Sequence, residues 1–125
     1  MIVGTGVDLC EVGRMQEAIE RHGARILNRV FTEREVAYSE RKANRFERYA
    51  ARFAAKEAGM KALGTGWRGG LGWRDLEVTN LPSGRPTLTL HRVAAEIARK
   101  MGVRNISLSL THTADQAMAL VIMES

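Results

Sequence analysis

Hydrophobic and polar positions change period several times along the chain, and each change marks an element. Ile2 to Leu9 alternates, with Val3, Val7 and Leu9 on one parity and Gly4 and Gly6 on the other. This predicts a strand whose glycines permit close backbone approach. From Glu11 to Asn28 the period becomes helical. Met15, Ala18, Ile19, Ile26 and Leu27 supply an apolar face, and Gly23 is a weak point or break. Thr32, followed three residues later by Glu35, forms a capping-box pattern that opens a helix from Glu33 to Arg41. Another helix runs from Asn44 to Leu63, ending at Gly64 and Gly66. Thr65 to Trp73, rich in glycine with two tryptophans, reads as a loop. It is either a flexible cover for a ligand or a plain connection with its aromatics tucked against the core. Asp75–Thr79 and Thr87–Leu90 alternate on either side of the turn-forming Asn80–Pro86, a hairpin pattern. His91–Met101 is an amphipathic helix capped by Gly102, and Asn105–Leu110 and Ala117–Met123 close the chain as strands. The turn between these strands, Thr111–Gln116, holds His112. No repeat, low-complexity segment or linker interrupts this order, so one domain spanning residues 1–125 is expected.

Composition narrows the class. A hydrophobic content of 45% with 26% charged residues is that of a soluble globular protein with a real core. No apolar run approaches the roughly 20 residues of a membrane span. The N-terminus carries Asp8 and no basic segment, so no signal peptide is expected. Cys10 is the only cysteine and cannot form an internal disulfide, which fits a cytoplasmic location and a buried structural thiol. The net charge of +5 is unevenly placed: residues 14–52 hold ten basic residues against six acidic ones. Such a surface steers an anionic partner, whether nucleic acid, membrane or an acidic protein. Arg14, Arg21, Arg25 and Arg29 fall on one helical stripe, either a solvated face or a docking surface.

Candidate chemistry centres on RFAAKEAGMKALGTG, Arg52 to Gly66. Glu57 and Lys61, four apart, share a helical face. Lys56 adjoins Glu57, and Arg52 lies just over one turn earlier. A solvated Glu–Lys pair is one reading. A carboxylate set among cations to hold a divalent cation together with a phosphate is the other. Asp8, at a strand end beside glycines, is either a ligand or catalytic group, or a turn or N-cap residue. His112 is either a ligand-contacting donor or a polar turn residue. The three histidines have no zinc-site spacing, and no nucleophile elbow, Walker loop or dinucleotide fingerprint is present.

Taken together, GTGVDLCEVGRM, RFAAKEAGMKALGTG, WRDLEV with the later GRP, and SLSLTHTADQA make the chain resemble the holo-acyl-carrier-protein synthases, small bacterial phosphopantetheinyl transferases. The resemblance covers nearly the whole chain. It implies an α+β fold, a small antiparallel sheet packed on a long central helix, assembled as a homotrimer with active sites at subunit interfaces. It implies transfer of the phosphopantetheine arm of coenzyme A to a serine of apo-acyl carrier protein in fatty acid biosynthesis, with release of 3′,5′-ADP. Asp8 and Glu57 match the family's Mg2+ ligands and Lys61 its phosphate-facing lysine. With the metal site these make a catalytic set of Asp8, Glu57 and Lys61, in which Glu57, Asp8 or a metal-held water is the base. Arg52, Gly64, Arg85, Pro86, His112 and Thr113 would border coenzyme A. Arg14, Arg21 and Arg25 match the surface that docks the acidic carrier, with Arg25 and Arg29 offset.

The stretch ERKANRFERYAARF departs from the family's usual approach to the central helix, so Arg45 and Arg48 compete to meet the 3′-phosphate. A basic nucleic-acid-binding module is a rival, opposed by the missing binding signature and by 6% aromatic content. A non-catalytic adaptor is another, opposed by Asp8, Glu57 and Lys61, which a pure binder does not need.

Overall fold

The chain runs β1 (Ile2–Glu11), α1 (Val12–His22), α2 (Ala24–Val30), α3 (Glu33–Glu40), α4 (Arg45–Leu63), β2 (Leu76–Asn80), β3 (Pro86–Leu90), α5 (Arg92–Met101), β4 (Asn105–His112) and β5 (Gln116–Glu124). A 3-10 turn at Trp73–Asp75 precedes β2. The structure, a computed structural model, describes residues 1–64, 66 and 69–125. Thr65, Trp67 and Arg68, part of the glycine-rich loop expected over 65–73, lie outside the described residues.

The fold is α+β. β1, β5 and β4 form an antiparallel sheet in that order, and β2 pairs with β3 in a separate antiparallel hairpin. The middle strand sends Ala117, Ala119, Val121 and Met123 inward, where each is buried. They meet α4, which spans about 28 Å at 1.5 Å per residue. Its inward face is built from Ala51, Ala54, Ala55, Ala58 and Ala62, all buried, and side chains this small let a helix lie close on a sheet. β1 makes the closest approach. A Cβ added to Gly4 would stand 2.2 Å from the Ala62 carbonyl oxygen, and one added to Gly6 would stand 1.8 Å from that of Ala58. Only hydrogen fits at these two positions, and the repeat of two residues on the strand against four on the helix fixes their mutual register. A second cluster, with Met15, Ile19, Val30, Phe31 and Tyr49, seats α1 and α2 on the first half of α4. The Phe31 and Tyr49 rings lie 4.9 Å apart.

Several expectations change. The helix expected over 11–28 is two helices, because Gly23 adopts φ 53 and ends α1. The arginine stripe is therefore split: Arg14 and Arg21 ride on α1, Arg25 and Arg29 on α2. Of the apolar parity of β1, only Val3 packs against the core. Val7 and Leu9 are 52% and 57% exposed, while the glycine parity meets α4. β4 runs on to His112, so that residue ends a strand and does not sit in the turn. β2 begins at Leu76 because Asp75 closes the 3-10 turn, its carboxylate accepting from the Gly72 N–H at 3.1 Å. The capping box of α3 forms as expected: Thr32 Oγ1 accepts from the Glu35 N–H and Glu35 Oε1 from the Thr32 N–H. Trp73 stacks obliquely on Phe53 at 4.9 Å, so this aromatic of the expected loop is packed against the helix.

Candidate active site

The close packing of Gly4 and Gly6 on α4 has a consequence two residues further along β1, where Asp8 reaches the turn of α4 that carries Glu57. The two carboxyl groups act on each other directly. Burial, reinforced by the Asp8 carboxylate beside it, pushes the Glu57 carboxyl up to about 7, while Lys61 works in the opposite direction. Lys61 does not pair with Glu57, four residues before it. Its Nζ donates to the Val7 carbonyl at 3.1 Å and to Asp8 Oδ1 at 3.4 Å. Asp8 also accepts from the Leu9 N–H at 3.0 Å, so it caps no helix. The expected trio of Asp8, Glu57 and Lys61 is thus assembled, although the salt bridge runs across 53 residues of sequence instead of along the helix. Cys10 lies close by, and burial together with the charges of Glu57 and Asp8 raises its thiol to about 11, so it stays protonated.

Glu57 lines two cavities. One, of about 380 Å³, lies between β1, α1 and α2, with mostly apolar walls that include Met15, Ile26, Phe31 and Phe53 and with Arg14 among its lining residues. The other, of about 240 Å³, lies along the exit of α4 beside Lys61, Gly64 and Gly66. Gly64 caps α4 with φ 73, a left-handed conformation that favours glycine.

Arg52 belongs to a different group. It is 3% exposed, lies over the Tyr38 ring at 3.9 Å, and donates from Nη2 to Asn80 Oδ1 at 2.7 Å. Its Nε is buried with no hydrogen-bond partner among the described residues. It lines a cavity of about 360 Å³ together with Arg34, Tyr38, Arg41 and Asn80. Pro86 is the strand partner of Asn80, so the hairpin brings Pro86 to this group, while Arg85 beside it is exposed at the hairpin turn. Arg48 shares this neighbourhood, donating to the Tyr38 hydroxyl at 2.6 Å, whereas Arg45 is held by Glu40 at 3.2 Å.

His112, the last residue of β4, and Thr113, which follows it, form a third group. His112 Nδ1 lies 2.9 Å from Glu47 Oε1, and Thr113 Oγ1 accepts from the N–H groups of Asp115 and Gln116. Glu47 precedes Glu57 by ten residues, about 15 Å along α4. Within one chain, none of the described cavities lined by Glu57 or Arg52 is also lined by His112, Thr113, Arg85 or Pro86. Arg14, Arg21 and Arg25 are exposed, with Arg14 3.8 Å from Glu11.

Three neighbours were not legible in the sequence as site residues: Tyr38 and Asn80 beside Arg52, and Glu47 beside His112. Each acts through a contact between distant segments, and no local spacing announces it. Lys56 belongs to none of the three groups. It is fully buried and paired with Glu35 at 2.7 Å, on a side of α4 away from the Asp8 contact.

Among the described residues, no helix is long and apolar enough to cross a membrane. The family model of the 4′-phosphopantetheinyl transferase superfamily matches residues 4–121. A holo-[acyl-carrier-protein] synthase of Solibacter usitatus is 66% identical over 125 residues, covering all of both chains. The crystal structure of the holo-[acyl-carrier-protein] synthase from Neisseria meningitidis superposes with a TM-score of 0.90 at 29% identity, covering all of both chains. That of the Bacillus anthracis synthase, in complex with CoA (3′,5′-ADP), matches with a TM-score of 0.81 at 32% identity over 100% of this chain and 98% of that one. On the match of the family model to residues 4–121 and these full-length likenesses, the chain belongs to the 4′-phosphopantetheinyl transferase superfamily, within its holo-[acyl-carrier-protein] synthase family.

Proposed function

We propose that the chain, acting as one transferase domain over its whole length, moves the 4′-phosphopantetheine group of coenzyme A onto a serine of apo-acyl carrier protein and releases adenosine 3′,5′-bisphosphate. The observation that carries this reading is the meeting of Asp8 and Glu57 with Lys61 beside them, in a chain of this family. The donor set suits Mg2+: two carboxylates face one another, and the Val7 carbonyl and Asp8 Oδ1 already gather one cationic group, the Lys61 ammonium. Mg2+ is commonly held by one or two carboxylates, with water and phosphate oxygens completing its shell. Asp8 and Glu57 would hold it. When bound, it would neutralise charge on the pyrophosphate.

The chain's own groups account for the rest of the transfer. The serine oxygen forms a bond to the phosphorus that carries the pantetheine arm, and the bond from that phosphorus to the departing nucleotide phosphate breaks. Glu57, Asp8 or a water held by the metal would take the serine proton. Lys61 holds Asp8 only at 3.4 Å and is 57% exposed, so it is free to turn its charge onto the departing phosphate. Arg52, Gly64, Arg85, Pro86, His112 and Thr113 would border coenzyme A. The unpartnered Nε of Arg52 suits an anionic group there, and Arg48, which shares Tyr38 with Arg52, suits the 3′-phosphate better than Arg45, which Glu40 engages. The exposed Arg14, Arg21 and Arg25 would receive the acidic carrier.

The same reading makes the protein a cytoplasmic enzyme of fatty acid biosynthesis and a homotrimer. The trimer has support in an apolar outer sheet face, where Val7 pairs with Leu120 and Leu9 with Met118, all four at least 40% exposed. Contact of the three site groups across subunits would then complete a site that one chain leaves divided. The deciding experiment is mass spectrometry of apo-acyl carrier protein after incubation with the protein, coenzyme A and Mg2+. A phosphopantetheine-sized gain, lost with Glu57→Gln, is expected; no gain with folded protein rejects the reading.

A further inference from the structure

Two buried charges take no part in the chemistry above. Lys56 and Glu35 are both fully buried, and Lys56 immediately precedes Glu57. Burial holds the Lys56 ammonium below its usual range, and the Glu35 carboxylate opposes that shift. Removing two charges from water is costly, and an apolar pair of similar volume often gives equal or greater stability. Stability alone is therefore a weak reason for this pair to stand here.

Its geometry shows a different use. Lys56 Nζ is 2.7 Å from Glu35 Oε1, donates to the Trp73 carbonyl at 3.2 Å, and also donates to the Leu76 carbonyl. Glu35 Oε1 accepts from the Thr32 N–H at 2.9 Å and Oε2 from the Val78 N–H at 2.7 Å. The start of α3, the 3-10 turn and β2 are thereby tied to one side chain of α4. The residue on the other side of Glu57 is Ala58, whose carbonyl oxygen lies against Gly6. Glu57 is thus flanked on both sides by fixed points. Gly6 sets how close β1 comes to the helix, and Lys56 sets how the helix is turned about its axis. A rotation of one residue is about 100° and would swing the Glu57 carboxyl away from Asp8.

We propose that Lys56, through Glu35, is a positioning residue that holds α4 in the rotation at which Glu57 faces Asp8. The inference rests on the reading that these two carboxylates form the reactive pair. It differs from a purely structural role because its effect falls on the Glu57–Asp8 geometry and not only on the melting temperature.

The test compares wild type with Lys56→Met and with the double variant Glu35→Gln/Lys56→Met, which leaves no uncompensated buried charge. Melting is followed by circular dichroism, and Mn2+ binding is measured by calorimetry without coenzyme A. In both variants kcat and KM are then separated well below the melting temperature. For the folded double variant, Mn2+ affinity and kcat should each fall about 10- to 100-fold, the range for loss of a group that orients a ligand. KM for coenzyme A should change little. A folded double variant with wild-type Mn2+ affinity and kcat overturns the proposal, whatever its melting temperature. So does a crystal structure of either variant in which Glu57 keeps its place beside Asp8. Failure of both variants to fold also counts against it, since the pair would then be a requirement of the fold. If wild type itself binds no Mn2+ and transfers nothing, the functional reading has failed, and the variant crystal structure still decides on positioning.

Discussion

A carboxyl group whose pKa is about 7 in the folded chain, against an ordinary value of 4.5, binds more protons folded than unfolded between those values. Stability linked to Glu57 is therefore fully present below the lower value and is lost as pH rises through the upper one. Without metal, Glu57→Gln should melt above wild type at about pH 8 and converge with it near pH 4.5. Saturating Mg2+ should raise the wild-type melting temperature and leave the variant unmoved, because only a ligand-competent folded state gains from binding. Melting curves at the two pH values, with and without Mg2+, check both; a wild type indifferent to Mg2+ would remove Glu57 from the metal site. The residue types of this site were legible in the sequence, but their pairing was not. Helical spacing puts Lys61 on the face of Glu57, and such an exposed pair is worth only about 0.2–0.5 kcal/mol. Two oxygens from β1, Val7 O and Asp8 Oδ1, outbid it. Lys56 was visible as part of the same motif, yet its partner lies 21 residues earlier, in a position already explained by the capping box. A carboxylate that fits one local pattern gives no sign of serving a second, distant one.

At the scale of elements, the glycines separate into those that make the site and those that merely permit a helix. Gly6 stands against backbone that cannot rotate away, so Gly6→Ala must push β1 off α4. The expected cost is about 1–3 kcal/mol of stability, as for other overpacked cores, with a fall in Mg2+ affinity because Asp8 moves with the strand. Gly13, in α1, has no atom within 4 Å of an added Cβ, and Gly13→Ala should instead stabilise by about 0.4–1 kcal/mol. Denaturant titration of the two variants measures this contrast, and equal effects would refute the packing account. Alternation and helical period located every strand of the described chain, and α3, α4 and α5, to within a few residues, but ran α1 and α2 together and did not show the 3-10 turn. What they did not convey was which parity of β1 faces inward. Hydrophobicity pointed to Val7 and Leu9, whereas an alanine-faced helix at very short range admits only glycine. The break at Gly23 was marked as a weak point, but its conformation depends on α2 packing back over α4, which no local pattern specifies.

For the whole molecule, charge and exposed apolar surface lie in different places and lead to separate expectations. The basic excess sits in residues 14–52, with Arg14 and Arg21 exposed on α1 and Arg14 among the residues that line the apolar cavity of Glu57. Arg14→Glu with Arg21→Glu should raise KM for the carrier protein at least about tenfold and leave KM for coenzyme A nearly unchanged. Salt near 1 M, where screening reaches about 3 Å, should weaken carrier binding by wild type and narrow the difference between the two. Equal effects on both substrates would count against docking through this helix. The outer face of the three-stranded sheet is apolar instead. Leu9 and Leu120 stand 57% and 40% exposed on adjacent strands, diagonal to each other and free of the α4 contact. Side chains so exposed add little to the stability of one chain, and their replacement by charge should leave its fold intact. In the proposed trimer they would be buried against other copies, which would bring the separated groups around Glu57, Arg52 and His112 to shared boundaries. Leu9→Lys with Leu120→Glu keeps the net charge at +5 and places two charges in any such interface. Wild type should sediment as three chains and the variant as one, with an unchanged far-ultraviolet spectrum. Transfer activity should fall with the trimer and return as high protein concentration restores assembly. A variant that stays trimeric would place the interface elsewhere, and one that is monomeric yet fully active would show that a single chain holds the complete site.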